Sequence, residues 1–224
     1  MVDSVKNKSK VCFAIALMSG TLVMTQAHAA TSPSPLSQIL RQDLKNRKVG
    51  SFSGTLASWE THYGARAFSP LLELASDTRL ADPDRYVALM GAAKIGGTAA
   101  APKFLPLLKD SSWMIRSGAL RALSALHHAE TSVAVLPLLH DSALVVRMEA
   151  IEAIDRLDPP GSHTALLSAI RDSSNYHGGR AQWVPQRALK SLVRRKELSR
   201  DEGVSLAHMC PDSDFRKQIL ASVR

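Results

Sequence analysis

The central part of the chain repeats one pattern every 31 residues, and this periodicity constrains the fold more than any other feature. Asp110, Asp141 and Asp172 are each followed by serine. At the same interval recur the arginines Arg85, Arg116 and Arg147 and the alanines Ala88, Ala119 and Ala150. A fixed period of this length is typical of arrays of stacked helical units. The sequence therefore predicts a repeat architecture, with the best units over residues 79–172.

Apolar residues recur at helical spacing within each unit, which predicts two helices per unit. In the second helix of the middle unit they are Ile115, Ala119, Leu120, Leu123 and Leu126. The first helix is shorter, and the aspartate–serine pair lies in the turn between the two. A single pair of helices cannot bury all its apolar surface, so neighbouring pairs must stack. The predicted fold class is all-α, an α-solenoid of stacked antiparallel helix pairs.

At these residues the chain resembles the HEAT-repeat family, in particular its short bacterial form. In that family a turn aspartate is followed by an aliphatic residue five positions on and an arginine six positions on, as in Asp110, Ile115 and Arg116. The resemblance implies that aspartates and arginines of successive repeats form a ladder of charge-assisted hydrogen bonds. The residues that it assigns to this structural ladder are Asp110, Arg116, Asp141 and Arg147.

Less regular segments flank the repeats and are predicted to close the array. Residues 36–48 have an amphipathic pattern that we expect to cap one end, and the degenerate first helix pair lies between residues 56 and 75. Two further helices are expected near residues 201–209 and 214–223. The predicted solenoid domain therefore covers residues 36–224.

The first 29 residues have the three parts of a secretory signal peptide. A basic region with three lysines precedes an apolar run over residues 11–24, and small residues then allow cleavage after Ala29. A membrane anchor is the alternative, but a span needs about 20 apolar residues and this run is shorter. We therefore predict a protein of the periplasm or a secreted protein, with residues 30–35 as a linker and no stable membrane span after cleavage.

The chain stays basic without this segment. Cleavage removes three lysines and one aspartate, so the formal net charge of +8 becomes +6. Such a charge suits an acidic partner or an anionic surface. Nucleic acid is disfavoured, because the protein is predicted to be exported and aromatic residues do not alternate with its basic residues. Cys210 becomes the only cysteine, so an internal disulfide cannot form.

The fourth unit departs from the repeat, because its alanine–leucine pair appears seven residues late, at Ala188-Leu189. The extra residues fall within 175–182. Insertions in repeat proteins lie in loops, often on a binding face, although a tolerated surface insertion is the alternative. The candidate contact residues in and beside this loop are Tyr176, His177, Arg180 and Trp183.

A basic run from Arg187 to Arg200 follows the insertion. It is either a solvated helix face or an electropositive patch for an acidic partner. The HEAT resemblance also implies that second helices line the concave side of the array. On that basis the candidate partner-binding set is extended by outward residues of the second helices, which are Arg121, His128, Glu152 and Lys190. The basic run adds Arg194.

The sequence carries no recognisable constellation of catalytic residues. It lacks a Gly-x-Ser-x-Gly motif and a glycine-rich phosphate loop. His127, His128 and His140 do not have the spacing of a zinc motif, and the histidine–glutamate pairs of the HEAT-like di-iron hydroxylases are missing. We therefore predict no catalytic residues, no metal and no cofactor.

These observations favour an exported, non-catalytic scaffold that binds another protein through its concave face and the loop of the fourth repeat. A second hypothesis is an enzyme of the lyase type on the same scaffold, since HEAT-like lyases that attach bilins resemble it. A third is attachment to an anionic cell-envelope polymer. A deep site with convergent ionisable side chains would favour the enzyme, and a smooth groove would favour the binding protein.

Overall fold

The computed structural model describes residues 34–48 and 50–223 of the 224-residue chain. The predicted signal peptide and most of the predicted linker lie outside the described residues. In the described part, no helix is both long enough and apolar enough to span a bilayer.

The described chain consists of ten α-helices, 3₁₀ segments and one small hairpin. The α-helices are α1 (Pro35–Asn46), α2 (Phe52–Tyr63), α3 (Phe68–Ser76), α4 (Asp82–Gly96), α5 (Trp113–Leu126), α6 (Leu144–Leu157), α7 (Ser162–Arg171), α8 (Trp183–Arg194), α9 (Arg200–Met209) and α10 (Ser213–Ser222). The 3₁₀ segments are Gly64–Ala67, Thr98–Lys109, Ala129–His140 and Ser173–Asn175. The strands are β1 (Tyr176–His177) and β2 (Arg180–Ala181), which pair antiparallel.

These elements form two packed layers. In the second layer α2, α4, α5, α6, α8 and α10 each contact the next member. In the first layer α1 packs on α3, the two long 3₁₀ segments pack on each other, and α7 links them to α9. The two members of each unit also contact each other across the layers. For example, α3 packs against α4 and α7 packs against α8. This stack of helix pairs confirms the predicted all-α solenoid.

Small residues allow the second-layer helices to approach closely. Ala88, Ala119 and Ala150 occupy equivalent positions in α4, α5 and α6, and all three are fully buried. Gly118 of α5 lies beneath the ring of Tyr86, where a Cβ atom would come within 2.9 Å of that ring. The recurring small residues thus set the distance between neighbouring units.

The first helices of the two central units are 3₁₀ helices, whereas the sequence pattern predicted α-helices. Thr98–Lys109 contains Pro102 and Pro106, and Ala129–His140 contains Pro137. A proline inside an α-helix removes one N–H donor and clashes with the carbonyl four residues before it. A tighter 3₁₀ winding is the local solution, and it keeps the apolar side chains Phe104, Val135 and Leu139 buried.

The ladder has two arginine–aspartate rungs. Nη1 of Arg85 is 3.2 Å from Asp110, and its Nη2 makes a second short contact with the same carboxylate. Arg116 donates from both Nε and Nη2 to Asp141 at 2.7 Å. Burial acts to raise the pKa of Asp141, but hydrogen bonds from Arg116 and from the Ala143 amide outweigh it and lower the pKa. Each rung joins one unit to the next.

The third rung differs from the expected one, because Arg147 does not bind Asp172. Arg147 donates from Nη1 to the main-chain oxygen of Asp141 at 2.7 Å, while its Nε has no partner among the described residues. Asp172 is bound instead by Nδ1 of His140 at 2.9 Å and by the amide of Ser174. The insertion after Asp172 changes the turn in which this carboxylate lies, and a histidine becomes its partner.

The amino-terminal end also differs from the expected pairing. The sequence pattern placed a degenerate pair between residues 56 and 75, but α3 packs against α4 as the first member of a regular unit. Helix α2 packs on α4, and Trp59 of α2 donates to Asp43 of α1 at 3.0 Å. Helices α1 and α2 therefore cover the start of the two layers together. At the other end α9 and α10 lie where two closing helices were predicted.

Candidate partner-binding surface

Two contiguous grooves lie on the exposed side of the second layer. Groove A has a volume of about 400 Å³, and among its lining residues are Phe52, Tyr86, Trp113, Met114, Arg121 and Val145. Groove B has a volume of about 240 Å³, and among its lining residues are Arg121, Val145, Met148, Glu152, Trp183 and Arg187. Since Arg121 and Val145 line both, the grooves form one surface across α4, α5, α6 and α8.

Large apolar side chains are exposed along this surface. The exposed fraction is 46% for Trp113, 48% for Val145 and 67% for Trp183. An isolated exposed apolar residue is ordinary, but three that line adjoining grooves mark a surface suited to a partner. Tryptophan is also the residue type that most often dominates the binding energy of protein interfaces.

The repeat explains why Met114, Val145 and Trp183 share one side. Met114, Val145 and Trp183 each lie five residues before an alanine that is fully buried in the second layer. In each helix this position falls in the first turn and at the same angle to the core. Trp183 was selected from the sequence, whereas Trp113, Met114 and Val145 were missed. The repeat position that Met114 and Val145 share with Trp183 was available to find those two.

Ion pairs between neighbouring helices lie along this surface. Arg121 of α5 donates to Glu149 of α6 at 2.8 Å and to the hydroxyl of Tyr86 at 3.3 Å. The bond to Glu149 raises the pKa of Arg121, which keeps the guanidinium charged. Arg187 of α8 lies 2.6 Å from Glu152 of α6. These pairs fix the positions of the charged groups between the apolar side chains.

The arginines are more exposed than the carboxylates that they bind. Arg121 is 53% exposed and Glu149 only 15%, and the corresponding values for Arg194 and its partner Asp155 are 57% and 14%. A partner approaching this surface therefore meets guanidinium groups first. Lys190 is also exposed here, and it has no ion-pair partner among residues 34–48 and 50–223.

Half of the six basic side chains in the run after the insertion form ion pairs within the described residues. Arg187 and Arg194 bind carboxylates of α6, and Arg195 binds both Asp158 and Glu197. The sequence alone did not indicate these partners, because they depend on the register between α6 and α8. The positive character that remains comes from the exposed faces of Arg187 and Arg194 and from the exposed side chains of Lys190, Lys196 and Arg200.

The inserted loop is a hairpin fastened to the fold. The buried side chain of Asn175 donates to the main-chain oxygen of Ala169 at 2.9 Å, and the Ala181 amide donates to Asp212 at 2.9 Å. The Tyr176 hydroxyl donates to the oxygen of Ile170 at 2.7 Å, and burial followed by the neighbouring Cys210 raises the pKa of Tyr176. Tyr176 therefore serves packing.

The predicted site residues fall into two groups. Arg121, Glu152 and Trp183 line groove B, and Lys190 and Arg194 follow Trp183 on α8. The remaining loop residues lie elsewhere. Tyr176 lines a separate cavity of about 210 Å³ with Leu206, Met209 and Cys210. His177 and Arg180 are exposed on the hairpin. His128 precedes the segment Ala129–His140 and is half-buried.

One line of hydrogen bonds has the order serine, histidine, aspartate. Nε2 of His140 is 3.5 Å from the hydroxyl of Ser168, and its Nδ1 is 2.9 Å from Asp172. Ser168 lies within α7, where backbone amides are engaged in the helix and cannot bind an oxyanion. The arrangement is therefore a link between units. Within the described residues, no group of three or more His, Cys, Asp or Glu side chains is placed to hold a metal ion.

Comparison with known proteins agrees with this architecture. Residues 68–155 and 101–177 match the family model for HEAT repeats. The matched stretch runs from α3 to the hairpin and includes both arginine–aspartate rungs. A comparison with curated proteins finds no match.

Proposed function

This chain belongs to the HEAT-repeat family, and we propose that it is an exported, non-catalytic scaffold that binds another protein through grooves A and B. HEAT repeats form helical scaffolds that in general serve protein interactions. The observation that carries the proposal is the pair of contiguous grooves with three exposed apolar side chains, Trp113, Val145 and Trp183. The proposed partner is a protein with acidic character, because guanidinium groups form the outer part of the surface.

The inserted loop has a positioning role in this proposal. The Gln182 amide donates to the oxygen of Asn175 at 2.9 Å, which closes the base of the hairpin directly before Trp183. Trp183 begins α8 and is the most exposed of the three apolar side chains. The hairpin thus fixes where Trp183 emerges, while His177 and Arg180 are exposed on the hairpin and line neither groove.

Site-specific photocrosslinking in the periplasm tests the binding surface. A photoreactive phenylalanine analogue at position 113 or 183 is expected to give an adduct with one defined protein. Val133 provides a matched control position, because it is 48% exposed and lies on the segment Ala129–His140 of the first layer. Equal adducts from position 133, or none from positions 113 and 183, would contradict the proposal.

Export is a separate part of the proposal and has its own test. It is supported by the basic, apolar and small-residue regions of residues 1–29. Amino-terminal sequencing of the protein from a periplasmic fraction is expected to begin at Ala30. If the chain keeps its first residues and stays in the cytoplasm, the prediction of export is wrong. The proposal that grooves A and B bind a protein does not depend on that result.

Attachment to an anionic cell-envelope polymer is the second candidate. It is favoured by the net charge of +6 after cleavage and by the outermost guanidinium groups. Binding of this kind depends on many screened charges, so retention on cell-wall material should fall steeply as the salt concentration rises. Binding through tryptophan side chains should depend on salt much less. A lyase has less support, because the grooves are open and mostly apolar.

A further inference from the structure

We propose that grooves A and B together recognise a short acidic segment of a partner protein in which two large apolar side chains flank a carboxylate. This inference rests on the proposed function and names the chemistry of its partner. It follows from the alternation of apolar, cationic and apolar groups along the surface.

The two grooves provide separate places for apolar side chains. In groove A the rings of Phe52 and Tyr86 stack with their centroids 6.2 Å apart, and Trp113 lies on the same lining. In groove B Met148 and Trp183 supply the apolar lining. Aromatic and methionine side chains fit partner side chains of varied shape, so each groove suits one large apolar residue.

Arg121 lies between the two places and is held there. Its bonds to Glu149 and to the Tyr86 hydroxyl use Nε and Nη1, and they leave N–H donors of the guanidinium for a further acceptor. More than half of its side chain is exposed. A carboxylate is the group that a positioned guanidinium binds best, through charge-assisted hydrogen bonds.

The charges around Arg121 favour the same sign of partner. Glu149 is covered by Arg121, and Glu152, the more exposed carboxylate of groove B, is paired with Arg187. Lys190 adds an exposed cation on α8. A cationic partner would meet arginines at close range and be repelled. This complementarity distinguishes an acidic segment from a neutral or basic one.

The distance between the grooves sets the spacing in the partner. Groove A is lined chiefly by α4 and α5 and groove B chiefly by α6, and neighbouring packed helices lie about 8–10 Å apart. An extended chain advances about 3.3 Å per residue. The two apolar residues of the partner are therefore expected about three or four positions apart, with the acidic residue between them.

Fluorescence anisotropy with synthetic peptides tests this inference on the chain from Ala30 onwards. The probes are labelled peptides in which two phenylalanines lie two, three or four positions apart around one glutamate. Matched peptides replace the glutamate with glutamine or lysine, or the phenylalanines with serine. We expect the glutamate peptide of the best spacing to bind about tenfold tighter than the glutamine peptide, and the lysine and serine peptides to bind weakest.

Two variants assign the effect to the surface. The double variant R121Q/E149Q removes both partners of the ion pair, so neither charge is left unpaired. It should abolish the preference for glutamate over glutamine and keep the preference for phenylalanine over serine. Trp183→Ser should weaken the glutamate and glutamine peptides equally. R156Q changes an exposed arginine of α6 outside both grooves and should change nothing. Thermal unfolding by circular dichroism confirms that each variant is folded.

The outcomes separate this inference from the proposed function. If photocrosslinking at position 183 captures a protein but glutamate gives no advantage, the acidic segment is wrong and the protein-binding function stands. If neither crosslinking nor peptide binding depends on Trp183, both the acidic segment and the proposed protein-binding function are wrong. Self-association that Trp183→Ser abolishes would identify a second copy of the chain as the occupant, and Trp183-dependent binding to phosphatidylglycerol vesicles would identify a membrane surface. Either result overturns the inference.

Discussion

The joints between units are built differently in the two halves of the stack. From α4 to α6 each joint contains an arginine–aspartate pair, Arg85 with Asp110 and Arg116 with Asp141. Beyond α6 the corresponding joints on the first-layer side contain histidine–carboxylate pairs, His140 with Asp172 at 2.9 Å and His163 with Glu202 at 2.7 Å. In the second layer, exposed arginines of α8 pair with carboxylates of α6. Arginine stays charged at all accessible pH values, whereas histidine is the side chain that exchanges its proton near neutrality. The first half is therefore held by permanent charges.

The two kinds of joint also differ in burial. The side chains of Arg116 and Asp141 are 12% and 8% exposed, while those of His140 and Asp172 are 46% and 22% exposed. A buried pair is costly to break on one side, because the remaining charge stays without a partner, and an exposed pair is worth little. The difference predicts a rigid central ladder and a more easily disturbed carboxy-terminal half.

The largest expected effect is the loss of one ladder aspartate. Asp141→Ala leaves the guanidinium of Arg116 unpaired and removes the acceptor of the Ala143 amide. We expect the free energy of unfolding in urea to fall by about 3 kcal/mol. Asp172→Ala is the matched change in the other half, and it should cost about 1 kcal/mol. Equal losses for the two variants would contradict the distinction between the joints.

A smaller effect is expected from a glycine that sets the spacing of α4 and α5. Gly118→Ala places a Cβ atom 2.9 Å from the Tyr86 ring, which is confined between Phe52 and α5. Overpacking costs more than the gain in helix propensity, so the net loss should be about 1 kcal/mol. The same measurement on Gly203→Ala is the comparison in the other half. Its Cβ would meet the side chain of Val223 at 2.5 Å.

Val223 lies after the last residue of α10 and is only half-buried, so it can move aside. Gly203→Ala should therefore be neutral or slightly stabilising. A loss for Gly203→Ala as large as that for Gly118→Ala would show that the last helix pair is packed as firmly as the centre. Gly118→Ala should also weaken binding in groove A, because the ring of Tyr86 lines that groove.

Acid should affect the carboxy-terminal joint through Glu202. Its carboxylate accepts bonds from the hydroxyl and amide of Ser199 and lies 2.7 Å from His163, and these contacts lower the pKa of Glu202 from 4.5 to about 2. Since this pKa is lower in the folded state, the carboxylate stabilises the fold above about pH 4.5. That contribution disappears as the pH falls towards 2.

The variant Glu202→Gln isolates this contribution. At neutral pH it should unfold at a lower urea concentration than the wild type, with a loss below about 1 kcal/mol. The difference between the two proteins should shrink below about pH 4.5 and vanish near pH 2. A difference that stays constant with pH would mean that the glutamate acts through packing, without a role for its charge.

The sequence predicted the regular half better than the irregular one. The period located α4, α5 and α6, and the resemblance placed Asp110, Arg116 and Asp141 in the ladder, because each of these depends on contacts between identical units. The failed rung at Arg147 could not be predicted, since the turn after Asp172 and the position of His140 are set by the tertiary structure. Prolines 102, 106 and 137 did carry a local signal for the 3₁₀ segments.

The binding surface was predicted in part for the same reason. Trp183 stands out in the sequence as an aromatic residue beside an insertion, and Arg121 and Glu152 follow from the outward positions of the second helices. The pairing of Glu152 with Arg187 and of Asp155 with Arg194 depends on the register of α6 against α8. That register follows from packing across the insertion, and no spacing in the sequence specifies it.

The smallest expected effect on stability is at Trp183, where the two halves meet. This side chain lies over α6 at the start of α8 and is 67% exposed, so little apolar surface is lost from the core when it is replaced. Trp183→Ser should change the free energy of unfolding by less than about 0.5 kcal/mol, whereas the same change at Trp59, which is 1% exposed, should unfold the start of the stack. Urea titration of both variants, followed by crosslinking of the folded one from position 113, checks this. A loss of crosslinked adducts with unchanged stability would show that Trp183 contacts the partner, because the fold then gives no reason for a tryptophan to be exposed there. A large loss of stability would show instead that Trp183 serves the joint between the two halves.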